Sequence, residues 1–151
     1  MQWQWSDYEA LSKTDVHAML RLRQQVFVIE QNCIYEDADD LDVRSWHLLG
    51  WDTDTPAEKT LAAYLRLVPA GKKFVEPSIG RVLVAEGSRG QGVGRELMEQ
   101  GLVFLAKTLG KKANRISAQL HLASFYGSLG YTVTSEPYDE DGIPHVEMLH
   151  G

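Results

Sequence analysis

Trp3 and Trp5 alternate with Gln2 and Gln4, the two-residue period of a strand with one buried face, and Trp3 to Tyr8 is expected as the first strand. The period then lengthens. Val16, Met19, Leu20, Val26 and Phe27 recur at helical spacing behind Ser12 or Thr14 as N-cap, which predicts a helix running on to Gln31. Tyr35 to Asp42 has no usable period and is expected as a loop or a short helical turn. Strands follow at Ser45 to Trp51 and Thr60 to Val68, joined by a hairpin connection from Asp52 to Lys59 that contains Pro56. In the second of these strands Leu61, Ala63, Leu65 and Leu67 are expected on one face.

Ile79 to Val84 is short and almost continuously apolar, the pattern of a strand at the centre of a sheet. A glycine-rich turn, Glu86 to Gly94, opens a long helix whose buried stripe is Val93, Leu97, Met98, Leu102, Leu105 and Leu109, stopped by Gly110. Arg115 to Leu120 is the next strand, His121 to Leu129 a short helix ended by Gly130, and Tyr131 to Ser135 and Pro144 to His150 the last strands. The order predicts a mixed α/β (α+β) domain over residues 1–151, with no linker and no internal repeat.

A chain of 151 residues is long enough to bury one substantial core. Its 21 acidic residues outnumber 15 Lys and Arg, for a net charge of −6, which argues against a protein that grips nucleic acid by neutralising phosphates. The single cysteine, Cys33, excludes an intramolecular disulfide and any multi-cysteine metal site, and a small buried thiol is expected there rather than a nucleophile. No metal is expected. No apolar run approaches the roughly 18 residues of a membrane helix, and Met1 to Trp5 has no signal-peptide character. A cytoplasmic protein without a membrane partner follows, as monomer or homodimer.

The chemistry centres on the unit of strand, glycine turn and helix from Ile79 to Leu109. A helix N-terminus carries unpaired amides and a partial positive charge, and glycines let the backbone approach a bound anion closely. Arg89 adds a full charge, and Arg95 stands one turn further on. The unit suits a phosphate or pyrophosphate. It is not a P-loop, because Val93-Gly94 stands where Lys-Ser/Thr is required, nor a dinucleotide fingerprint, because Arg95 takes the place of the last glycine. Without a ligand, the same segment would simply be a tight turn.

Arg89-Gly90-Gln91-Gly92-Val93-Gly94 has the spacing Arg/Gln-x-x-Gly-x-Gly/Ala and resembles the pyrophosphate loop of the GNAT superfamily of acyl-CoA-dependent N-acetyltransferases. A second segment, Gln119 to Tyr126 followed by Leu129-Gly130-Tyr131, is similar to that family's second cofactor motif, with Gln119 for the usual Asn and Leu122 for the usual Ala. The stretches Val26 to Cys33, Ile79 to Val82, Ala118 to Leu122 and Glu140 to His145 further resemble the ElaA-type branch of bacterial GNAT proteins.

The resemblance implies one GNAT domain with a central mixed, mostly antiparallel twisted sheet flanked by helices, and acetyl-CoA as co-substrate. It implies that backbone groups of Val82, Leu83 and Val84 hold the thioester, and that Arg89, Gly90, Gln91, Gly92, Val93, Gly94 and Gln119 bind the cofactor. Tyr126 falls on the family's general-acid position; an unperturbed phenol, with a pKa of about 10, is protonated at neutral pH. Its alternative is a core aromatic beside Phe125. An alkyl amine arrives charged and must lose a proton, and Glu30, His47, His121 and His145 are the candidate acceptors. His121 is favoured, against a role in orienting its loop; His145 reads equally as a turn anchor. Glu36, Asp37, Asp39, Asp40 and Asp42 lie where the family places its acceptor wall, so Glu30, Glu36, Asp37 and His145 are expected on the substrate side. An acidic wall would favour a cationic amine, small molecule or peptide, although charge runs are commonly solvated loops. The reaction expected is acetyl transfer by direct attack in a ternary complex. The rival is a fold that holds acyl-CoA as a sensor or interaction module and turns nothing over.

Overall fold

The computed structural model describes residues 1–54, 59–110 and 113–151, so the connection expected from Asp52 to Lys59 lies in part outside the described residues. Strands β1 (Gln2–Asp7), β2 (Trp46–Asp52), β3 (Thr60–Val68) and β4 (Ser78–Val84) form one antiparallel sheet in that order. Of the later strands β5 (Asn114–Gln119), β6 (Tyr131–Val133), β7 (Tyr138–Glu140) and β8 (Ile143–His150), the last is central and pairs antiparallel with the other three. Helices α1 (Lys13–Arg23), α2 (Val93–Leu109) and α3 (Ala123–Gly127) pack on this framework. No helix among the described residues is long and apolar enough to cross a membrane.

The expected position of β4 needs correction. It is the outer strand of the first sheet, and beside it runs β5, the outer strand of the second. The Arg115 amide donates to the Pro77 carbonyl at 3.0 Å where the two strands begin, and no ladder continues from there. Each strand therefore turns an edge with unpaired backbone groups toward the other. The apolar run in β4 reflects burial of both its faces, Ile79, Val82 and Val84 in the layer beneath α2 and Leu83 in the layer beneath α1, rather than pairing on both sides.

Two bulges set which residues face which layer. Gly50 pairs with Ala63 but Trp51 with Leu61, so Ala62 is the extra residue of β3. Ala63, Leu65 and Leu67 consequently point into the core beneath α2, whereas Leu61 joins the layer beneath α1, a correction to the single face expected. The α2 stripe is as read from its period: Leu97, Met98 and Leu105 are fully buried against Leu65, Ile79 and Met148. Gly101 lets this helix approach, because a Cβ there would lie 3.1 Å from Leu65 and 3.3 Å from Ile79. Trp5 stacks on Phe104 at 3.8 Å between centroids and ties β1 to the same helix.

α1 starts at a capping box, in which the Ser12 hydroxyl accepts from the Asp15 amide and Asp15 accepts from the Ser12 amide. The helix does not continue unchanged to Gln31. From Gln24 to Glu30 it widens to a π-helix, a geometry common beside functional sites and invisible to a 3.6-residue pattern. The expected strand Tyr131 to Ser135 shortens to β6, and β7 was not expected at all. Its signal is Asp141-Gly142: both residues have positive φ, as a two-residue hairpin turn requires.

Candidate active site

Beyond the Arg115–Pro77 contact the two sheets diverge, and the space between them is a cleft lined on one side by Val82, Leu83 and Val84. Its larger cavity, about 560 Å³, reaches the glycine turn, where Gly90, Gly92, Val93 and Gly94 form the floor. Gly90 and Gly92 have φ of +78°, a conformation glycine takes without penalty. Gly92 is the N-cap of the 17-residue α2 and no side chain caps it. The first amides of α2 are thus left for a partner in the cavity, at the positive end of the helix dipole. Orphan amides, a cradle free of Cβ atoms and an open strand edge form a donor set that fits a pyrophosphate with a chain attached. Gln91 is exposed and its side chain is outside the cavity wall, which leaves its backbone amide as its part of the turn.

A smaller cavity, about 120 Å³, adjoins the first on the side of Gly80 and Ser117. Val82, Gln119 and Tyr126 border both, together with Phe27, Gln31 and Leu122. Nothing in the local pattern singles out Phe27 or Gln31 for this place; Phe27 belongs to the π-helix and Gln31 caps its C-terminal end. Gln119 donates to Gln31 at 3.2 Å and so bridges β5 to that helix.

Tyr126 is 7% exposed, and its hydroxyl has no hydrogen-bond partner among the described residues. Burial pushes its phenol up to about 12, so it is protonated at any ordinary pH. Phe125 and Tyr131 meet its ring edge to face at 5.2 and 5.9 Å. The residue is thus part of the core and also lines the junction of the two cavities.

Arg81, which sequence reasoning passed over, shapes the junction from β4. Tyr64 pairs with Leu83 and Arg66 with Gly80, leaving Arg81 and Val82 opposite Leu65 in a bulge. Arg81 takes φ of +50°, a strained value for a residue with a side chain. Contacts hold it there: its Nε lies 2.9 Å from Asp37, its Nη2 donates to the Asp37 carbonyl at 3.1 Å, and Tyr35 lies under the guanidinium.

The acidic cluster is not an acceptor wall. Arg23 donates to Asp37 at 2.8 Å and to Asp42 at 2.7 Å, and Arg66 to Asp39 at 2.6 Å and Asp42 at 2.9 Å. Three arginines meet three aspartates, so Asp37, Asp39 and Asp42 present no net charge to a ligand. Asp37 is buried, and neither it nor the exposed Glu36 lines either cavity, which corrects both substrate-side assignments. Burial raises Asp42, but Arg23 and Arg66 outweigh it and hold the carboxyl below its ordinary range. Behind the cluster, buried His47 has Nε2 2.8 Å from the Asp42 carbonyl, which only accepts, so Nδ1 accepts from the Tyr64 hydroxyl at 2.6 Å. Burial also lowers its basicity. His47 is thereby a neutral structural residue.

Of the remaining candidates, His121 is exposed and borders only the larger cavity, whereas buried His145 borders the smaller one. Glu30 sits at the rim of the larger cavity and is paired with Arg89. Arg95 donates to Ser128 at 2.6 Å.

The model of an acetyltransferase (GNAT) domain matches residues 56–150. The chain belongs to the GNAT family. This GNAT chain is 40% identical to Protein ElaA of Escherichia coli over 150 residues, covering 98% of this chain and 95% of that protein. A UPF0039 protein of Synechocystis is 42% identical over 152 residues, covering 99% and 94%. Among solved structures, Escherichia coli ElaA superposes with a TM-score of 0.90 at 38% identity over 99% of both chains. An acyl-CoA N-acyltransferase from Pseudomonas aeruginosa does so with a TM-score of 0.91 at 34% identity over 100% of both. The GNAT fold binds acetyl-CoA or coenzyme A, and the family is one of acyl-CoA-dependent acyltransferases.

Proposed function

We propose that this chain, as a single GNAT domain over residues 1–151, moves an acetyl group from acetyl-CoA to a primary amine by direct attack in a ternary complex. The reading rests on one observation: Tyr126, protonated and unpaired, lies on the wall common to two adjoining cavities. A molecule in each would meet beside its hydroxyl.

In this reading the amides from Gly90 to Gly94, with Arg89, bind the diphosphate, and Gln119 and the open edge at Val82 to Val84 hold the acyl end. Backbone donors aimed at a carbonyl oxygen stabilise charge that develops there during attack, at no cost of reorganisation. Acetyl-CoA supplies the activated acyl group. The amine enters the smaller cavity, whose 120 Å³ suits a small primary amine or the tip of an extended side chain. Tyr126 gives its proton to the departing sulfur. With the aspartates spent on arginines, the acceptor needs no large positive charge.

Free thiol measured after mixing protein, acetyl-CoA and a panel of polyamines, aminoglycosides, amino acids and peptides tests the reading. Amine-dependent release is expected. Tight binding of acetyl-CoA with no release for any amine would instead make the chain an acyl-CoA-binding module.

A further inference from the structure

The smaller cavity contains a pair of side chains that the transfer just described leaves unassigned, His145 on β8 and Glu140 on β7. The Asp141-Gly142 turn sets Glu140 opposite Ile143 and brings its carboxylate back over the imidazole. His145 is 7% exposed, and its Nδ1 lies 2.7 Å from the Ile143 carbonyl. A carbonyl only accepts, so Nδ1 carries the proton and Nε2 is the nitrogen that exchanges one. Nε2 stands 3.2 Å from Glu140 Oε2 but is out of line for a hydrogen bond to it, so its lone pair is free until a proton arrives, and the carboxylate is near enough to pair with the imidazolium that results. Tyr138 stacks on the ring at 6.2 Å and shares a hydrogen bond with Ser117, which fixes the ring plane. Gln119 is directly across on β5, Asp141 and Lys73 complete the charged surroundings, and Arg66 and Arg81 are held in the aspartate cluster.

Resting on the acyl-transfer reading, we infer that His145 Nε2 takes the proton from the incoming ammonium, with Glu140 as the positioning residue that holds the resulting imidazolium. His121, on the far cavity, is not the acceptor. Glu140 is 44% exposed at its side chain and gives the proton a way out to solvent. The balance closes. The ammonium loses one proton to Nε2, its nitrogen bonds to the carbonyl carbon, and the carbon–sulfur bond breaks. Tyr126 protonates the sulfur, and the second nitrogen proton restores Tyr126. One amide, one thiol and one proton to solvent result from each ammonium.

The role separates from a structural one by amine basicity. An amine accepted by the protein is compared with its analogue bearing a trifluoromethyl group on the amine carbon, which is mostly uncharged at neutral pH and so has no proton to give up before attack. His145→Gln is expected to lower kcat/KM for the parent amine about a hundredfold, the scale of general base catalysis, and for the analogue less than about threefold. Glu140→Gln, at a half-exposed site, is expected to show a smaller loss confined to the parent amine, and it carries the same comparison if His145→Gln does not fold. Equal loss with both amines would make the pair structural, and no loss with either would remove it from the reaction; both results overturn the inference. A wild-type protein that releases no thiol with any amine of the panel overturns the acyl-transfer reading itself.

Discussion

Arg89 donates two parallel hydrogen bonds to Glu30, at 3.0 and 2.8 Å, across the rim of the larger cavity. Its Nε donates in addition to the Val84 carbonyl at 3.0 Å. The cation expected to meet the diphosphate is thus held against the π-helix. Both partners are about two-fifths exposed, so the pair contributes no more than about 1 kcal/mol. Glu30→Gln frees Arg89 and removes a negative charge from the rim. Calorimetric titration with coenzyme A is expected to show binding tightened by up to about fivefold, from that same energy, at low ionic strength. Added salt should erode the gain.

Gly92→Val tests the turn. A Cβ at Gly92 meets nothing within 4 Å inside the chain, so the side chain itself has room. The cost to the protein is conformational: φ of +78° disfavours a β-branched residue by about 1–2 kcal/mol. The new methyl groups would occupy the mouth of α2, and coenzyme A affinity should fall by much more than the lower Tm accounts for. Unchanged affinity would remove the turn from the site.

The buried cluster predicts how stability follows pH. Burial holds neutral His47 below its ordinary value, so between that value and its folded one the unfolded chain binds a proton that the folded chain does not. Stability is full above about pH 6.5 and declines as pH falls from there, with a second decline below about pH 4 as Asp39 and Asp42 are protonated. Tm measured from pH 8 to 3 should show both phases, and His47→Gln should remove the upper one. Asp42→Asn, which strips a carboxylate from Arg23 and Arg66, should cost about 3–5 kcal/mol at neutral pH in denaturant unfolding. A Tm flat down to pH 5 in the wild type would contradict the reading of His47.

These relationships explain what could be read along the chain. Local patterns locate α2 and its glycine turn, because helical period and backbone freedom are properties of neighbouring residues. The pairing of Arg23, Arg66 and Arg81 with aspartates 14 to 44 residues away is a tertiary fact, and without it the acidic run passes for an open wall. The bulges at Ala62 and Arg81 and the widened turn at Gln24 leave no periodic trace, yet they decide which side chains reach the junction. The Asp141-Gly142 turn, by contrast, is a legible hairpin signal, and it places Glu140 beside His145.

The most direct test of the account is Tyr126→Phe, which removes one oxygen from an otherwise buried ring. Thiol release with the best amine and the affinity for acetyl-CoA are measured side by side in wild type and variant. The account predicts kcat lower by about a hundredfold or more with affinity unchanged, since the hydroxyl acts only as the carbon–sulfur bond breaks. Full activity in the variant, or a loss confined to acetyl-CoA affinity, would contradict it.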